Sequence, residues 1–291
     1  MKKFFCMRDY IDAALVLSEL KVKSDCFKHD GTIVRARYLV CIDDDITSAF
    51  YAMYLYRLIY QTYGYYPFIL CVGGKGPLSK YLNHKGVSEG MKLKDVCLEL
   101  GARAQDLTVL DNGTNTGLNC LDIYKHVVKS CGKIVFCVTT RLSLRLERTF
   151  AFLPKQYPDE VNQNQFEALR VVGIHWYVPK ENLADMMQRY NCKGLADGVM
   201  FFAEVASIYD RIVRYSGKLQ APLDFEVSEA VVAASRRLAE KYPLKINALS
   251  FTGIWQYAYA LSVVLFYKPW IRIEGHMAVK RVKRQLKAEF D

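Results

Sequence analysis

The chain is poor in histidine and lacks the local signatures of zinc-dependent catalysis. Its five histidines (His29, His84, His126, His175 and His276) are dispersed, with no HExxH spacing. Neither a Walker P-loop nor a GxGxxG fingerprint occurs. CxxC pairs are missing too. The nine cysteines (Cys6, Cys26, Cys41, Cys71, Cys97, Cys120, Cys131, Cys137 and Cys192) are scattered and odd in number. Several lie inside apolar runs such as Tyr38 to Ile42, so they read as reduced core thiols, with no metal site or disulfide framework indicated. Internal repeats and low-complexity linkers are absent as well.

What the chain does have is enough apolar sequence for a full core. With 291 residues, 52% hydrophobic and 24% charged, it suits one large domain, or a domain with an appendage. The opening MKKFFCMRDYIDAALVLSEL is interrupted by Arg8, Asp9 and Asp12 before an export-length apolar stretch, so a cytoplasmic location is expected. The net charge of +10 is concentrated toward the end: Lys268 to Asp291 holds seven Lys/Arg against three Asp/Glu. A solvated basic helix is the expected reading. No nucleic-acid partner is expected, because aromatic interleaving and groove-reading motifs are missing.

Periodicity gives alternating strands and helices. Tyr38 to Ile42, Phe68 to Val72, Leu107 to Leu110, Lys133 to Thr139 and Arg170 to His175 read as strands. Between them, Ser48 to Gln61, the stripe Leu93, Val96, Cys97 and Leu100 closed by Gly101, Leu118 to Lys129 and Leu144 to Leu153 read as helices. Apolar strands alternating with amphipathic helices predict an α/β fold with a parallel sheet covered by helices on both faces. Lys180 to Arg189, Ala196 to Tyr215 and Val227 to Lys241 then read as helices alone. The expected organisation is an α/β domain over residues 1–242, with its core at 36–175 and a helical part at 176–242. A helical C-terminal extension with a basic tail follows over 243–291, the boundary falling at Tyr242-Pro243. Within it, Ile246 to Tyr267 is uncharged over 22 residues but diluted by Asn247, Ser250, Thr252, Gly253, Gln256 and Ser262. Buried or partner-binding helices are the first reading of this stretch, a membrane anchor the second.

Loops at the carboxyl ends of parallel strands line the crevice where such sheets bind ligands. After the first strand comes Asp43-Asp44-Asp45, which offers a contact for ribose or a cationic group, a Mg²⁺ pair, or a helix cap. After the second comes Gly73-Gly74-Lys75-Gly76-Pro77, where glycines permit close approach of a phosphate or carboxylate and Lys75 adds positive charge. After the third, Asp111 leads into Asn112-Gly113-Thr114-Asn115-Thr116-Gly117 at a helix start, either a capped turn or a site for an anionic or strongly polar ligand. After the fourth come Thr139-Thr140-Arg141, with Arg145 one turn into the next helix. Glu89, in Gly86-Val87-Ser88-Glu89-Gly90, is an ordinary first-turn acid or a group that swings into the crevice.

The succession VGGKG, VSEG, LDNGTNTGLN and VTTRLSLRLERTF resembles the pattern of the bacterial SanA/ElyC/YdcF family, from Tyr38 to Phe150 by motif. ADGVMFF (Ala196 to Phe202) and the turn Gly217-Lys218-Leu219 extend the likeness to its YdcF-like members, toward Tyr242. The resemblance implies a Rossmann-like domain whose ligand site includes Gly73, Gly74, Glu89, Thr114, Asn115, Thr116, Asn119 and Arg145. It also implies a small nucleoside-type ligand, S-adenosylmethionine, with the reaction open. The chain departs from the pattern at Gly113, where Ser is usual, at Leu118, where Glu is frequent, and at Leu142 or Ser143, where a His often precedes the Arg. Losing an acid and an imidazole weakens the expectation of acid/base chemistry and leaves open whether the chain is an enzyme. The alternative is a non-catalytic envelope-linked or scaffold protein whose segment 246–291 docks a membrane or a protein partner.

Overall fold

Short apolar runs become the strands of one parallel sheet because a segment buried on both faces cannot afford polar side chains. In a computed structural model these are β1 (Tyr38–Ile42), β2 (Phe68–Val72), β3 (Leu107–Leu110), β4 (Ile134–Val138) and β5 (Leu169–Gly173). The structure describes residues 6–20, 26–42, 47–75, 86–128, 134–138, 143–162, 169–173, 195–242 and 268–290. All strand pairings are parallel, and the strand order is β3-β2-β1-β4-β5. Sequence order therefore reverses between β1 and β4, the place where a parallel sheet opens a ligand crevice at its carboxyl edge.

Helices α1 (Met7–Glu19), α2 (Thr47–Tyr63), α3 (Glu89–Glu99), α4 (Thr116–Val128), α5 (Ser143–Gln156), α6 (Leu195–Tyr215), α7 (Glu229–Lys241) and α8 (Lys268–Phe290), with a 3-10 turn at Ala104–Asp106, complete the described elements. Side chains alternate across the pleat, so Leu39, Cys41, Ile69 and Cys71 join one core with Phe50, Met53 and Ile59 of α2 and Leu93 and Cys97 of α3. Val40, Ile42, Leu70 and Val72 face the other way, against Ile123 and Val127 of α4 and Leu146 and Phe150 of α5. Helices thus cover both faces, as the alternating pattern predicts. Helix starts fall slightly ahead of the apolar stripes because caps, not apolar residues, set them: Ser88 caps α3, accepting the Met91 amide at 3.2 Å.

The helical part packs on the α2 and α3 side. Phe202 of α6 sits between Tyr10 and Tyr242, edge-on to the first and stacked on the second. In α8, Val279, Val282 and Leu286 are buried in the same core, and the Leu286 carbonyl accepts from Arg57 of α2 at 3.4 Å. Among the described residues no helix is long and apolar enough to cross a membrane. The stretches read as helices at 180–189 and 246–267 lie outside the described residues.

The two N-terminal acids that interrupt the apolar opening are buried on α1, facing α7. Asp12 receives a bidentate Arg237 at 2.7 and 2.9 Å. Asp9 accepts from Lys241 at 2.6 Å, the Tyr242 hydroxyl at 2.8 Å and the Cys6 amide at 2.8 Å. Burial pushes the Asp9 carboxyl up, but the bonds from Lys241, the Cys6 amide and Tyr242 outweigh it and hold the group below its ordinary value near 3.8. Because the folded value lies below the unfolded one, this stabilisation is present above the ordinary carboxyl range and is lost as pH falls through the folded value. Asp9→Asn is expected to cost about 1–2 kcal/mol at neutral pH, Lys241 being partly exposed. Urea denaturation at several pH values should show the gap between variant and wild type closing below about pH 4.

Candidate functional site

The loop after β2 and the turn after β3 meet as backbone on backbone. Gly73 donates its N–H to the Leu110 carbonyl and Gly74 donates to the Gly113 carbonyl, both at 2.9 Å. A Cβ on Gly74 would lie 2.4 Å from Gly113 O and 2.5 Å from Asp111 O, and one on Gly73 would lie 2.8 Å from Glu89 Oε2. The glycines expected to open the backbone to a ligand therefore let the loop close on its neighbours. Their N–H groups are spent within the protein. Gly73 also has φ of +137°, a conformation that disfavours any side chain.

Glu89 begins α3 beside this loop. The neighbouring Ser88 donates its hydroxyl to Asp111 Oδ2 at 3.1 Å while capping α3, which ties the helix start to the turn after β3. Gly90 donates to the Gly73 carbonyl at 2.8 Å. The sequence reading singles out Glu89 in this segment and not Ser88, whose bond to Asp111 joins residues 23 positions apart, for which no local signal exists.

The Asn112 to Gly117 turn realises the capping reading at Asn115, whose Oδ1 accepts from the Leu118 amide at 3.0 Å. Gly113 packs on Asn119, so closely that a Cβ would fall 2.0 Å from Asn119 Oδ1. That oxygen is buried with no hydrogen-bond partner among the described residues. The Gly113 amide donates to Asp122, one turn beyond Asn119. Burial raises the Asp122 carboxyl above its ordinary value and the Asp111 charge adds to this, against the opposing pull of Lys125 and the Gly113 amide. Asp122 was missed in the sequence; its sole signal is a polar residue three positions after Asn119 on a helix whose neighbours are apolar.

Helix α5 brings Arg145 and Gln156 to the first residues of α4. Arg145, buried, donates through Nη2 to the Thr116 hydroxyl at 3.4 Å, and the Gln156 amide lies by Gly117. A guanidinium at the positive end of a helix favours a negative group beside both. One continuous edge thus holds Gly73, Gly74, Glu89, Asp111, Asn115, Thr116, Asn119 and Arg145. Thr114 is exposed on the same turn and Lys75 is exposed at the end of its loop. Asp43, Asp44 and Thr139 lie outside the described residues.

Comparison with known proteins assigns no family: no family model matches the chain, and no curated protein or solved structure matches it.

Because the contacts at Gly74 are to backbone atoms, Gly74→Ala must part the two loops. An expected loss of about 2–4 kcal/mol in chemical denaturation follows. Asn115→Ala, which removes only the cap, should cost about 1 kcal/mol in the same measurement. Equal losses for the two would mean that the loops do not pack as described.

Proposed function

We propose that this edge belongs to a Rossmann-like domain and binds a small nucleoside-type ligand, with S-adenosylmethionine the first candidate. The observation that carries the reading is the convergence of the turns after β2 and β3 with Arg145 of α5, bonded to one another at the carboxyl edge of a parallel sheet. The chemistry of the edge is two-sided. Arg145 and the start of α4 suit a carboxylate or phosphate, while Glu89, Asp111 and Asp122 suit a cationic group. A nucleoside bearing an amino-acid tail and a positive centre matches both. The unpartnered Asn119 Oδ1 adds an acceptor for an amino or hydroxyl donor. No reaction is assigned, since a nucleophile and its base are not brought together among these residues.

Calorimetry with S-adenosylmethionine, its demethylated product, ATP and NAD tests the reading. S-Adenosylmethionine should give heat, and Arg145→Ala should weaken its binding by roughly 10- to 100-fold, the worth of one charged hydrogen bond. Heat with none of the four overturns the proposal.

A second reading rests on α8, where Lys280, Lys283, Arg284 and Lys287 are exposed while Val279, Val282 and Leu286 are buried. Such a helix presents a cationic stripe to an anionic membrane face. Co-sedimentation with phosphatidylserine vesicles should occur at low salt and be abolished by replacing these four residues with Gln. Sedimentation unchanged by that replacement would dismiss the reading.

A further inference from the structure

β1 and β2 pair so that Cys41 lies directly opposite Cys71, and both side chains enter the core on the face covered by α3. Helix α3 starts hard against the sheet, because Gly90 leaves no room for a Cβ, which would lie 2.6 Å from the Cys71 carbonyl oxygen. Two turns later this close approach delivers Cys97 to the same point. The ligand atoms of the three thiols all lie within 4.8 Å of one another, and the three residues have no exposed surface. None of the three is in a disulfide. They hydrogen-bond among themselves, and Cys41 also donates to the Ser48 carbonyl at 3.7 Å.

The geometry points to a three-thiolate site for a single soft, thiophilic cation, formed by Cys41, Cys71 and Cys97. Around one ion with metal–sulfur bonds of about 2.3 Å, three sulfurs stand roughly 4 Å apart, so the thiols need close by less than about 1 Å. A set made of sulfur alone selects Cu(I), Zn(II) or Cd(II) over Mg²⁺ or Ca²⁺. Each thiol gives up its proton as its sulfur bonds the ion, so a divalent ion releases three protons and leaves a complex of charge −1. Lys94, one turn before Cys97 on α3, places a positive charge toward Cys71 that offsets part of it. Without an ion, hydrogen bonding to Cys41 and burial hold the Cys71 and Cys97 thiols well above their ordinary range, so they stay protonated. This site lies in the core beneath the sheet edge and is independent of the ligand reading above.

The test is titration of the reduced full chain with Cd(II) alone. A thiolate-to-cadmium charge-transfer band should saturate at one ion per chain, and X-ray absorption of the loaded protein should show a shell dominated by sulfur. Cys97→Ser should weaken binding by more than the roughly 10- to 100-fold that loss of an outer-shell partner costs. Cys120→Ser, whose thiol belongs to the core on the opposite face of the sheet, should bind as wild type. A missing band, an oxygen- or nitrogen-dominated shell, or an undiminished band in Cys97→Ser overturns the site. Should Cys97→Ser fail to fold, the absorption spectrum of the wild-type chain still decides.

Discussion

Backbone packed directly on backbone at Gly74, Gly90 and Gly113 sets the geometry of the carboxyl edge. A side chain at any of these positions would overlap a carbonyl oxygen or the Asn119 main chain, within 2.8 Å or less. The contacts reach further than the loops. Gly74 and Gly113 hold the second and third turns together, Gly90 seats α3, and the seating of α3 decides where Cys97 falls. Each hydrogen bond involved is worth about 1 kcal/mol net. Steric exclusion at the glycines, more than these bonds, fixes the arrangement.

The edge has opposite electrical characters at its two ends. Toward α5, Arg145 and the start of α4 present positive potential. Toward α3, Ser88 and the Gly113 amide organise Asp111 and Asp122 through hydrogen bonds. Capping and ligand binding do not compete at Asn115. A capped helix keeps its first turn in place, and a turn held in place presents Thr114 and Thr116 at constant spacing.

The alternation of strands and helices was readable because fully buried strands demand unbroken apolar runs and helices bury one stripe. The cap at Asn115 stood in the local sequence for a local reason: a small polar side chain satisfies an amide within three residues of itself. What could not be read is everything that depends on register and long-range packing. Cys41, Cys71 and Cys97 have no metal-binding spacing, since two strands and a helix bring them together. The role of the loop glycines was read as openness to a ligand, whereas the neighbouring turn fills that space. Asp9 and Asp12, taken as evidence against an export signal, turn out to be buried partners of α7, a role set by residues more than 200 positions away.

That last pairing bears on how the chain is made. Helix α1 leaves the ribosome well before α7, yet Arg237, Lys241 and Tyr242, which neutralise and bond its two acids, are separated from them by 225 to 233 positions. Until α7 has been synthesised, the two acids of α1 lack the partners that neutralise them and remain in water. The sheet, in which every pairing except β1 with β4 joins consecutive strands, can assemble in the meantime. Docking of the first helix onto one of the later ones is thus a closing event, and it locks the two ends of the α/β region together only after the intervening chain exists.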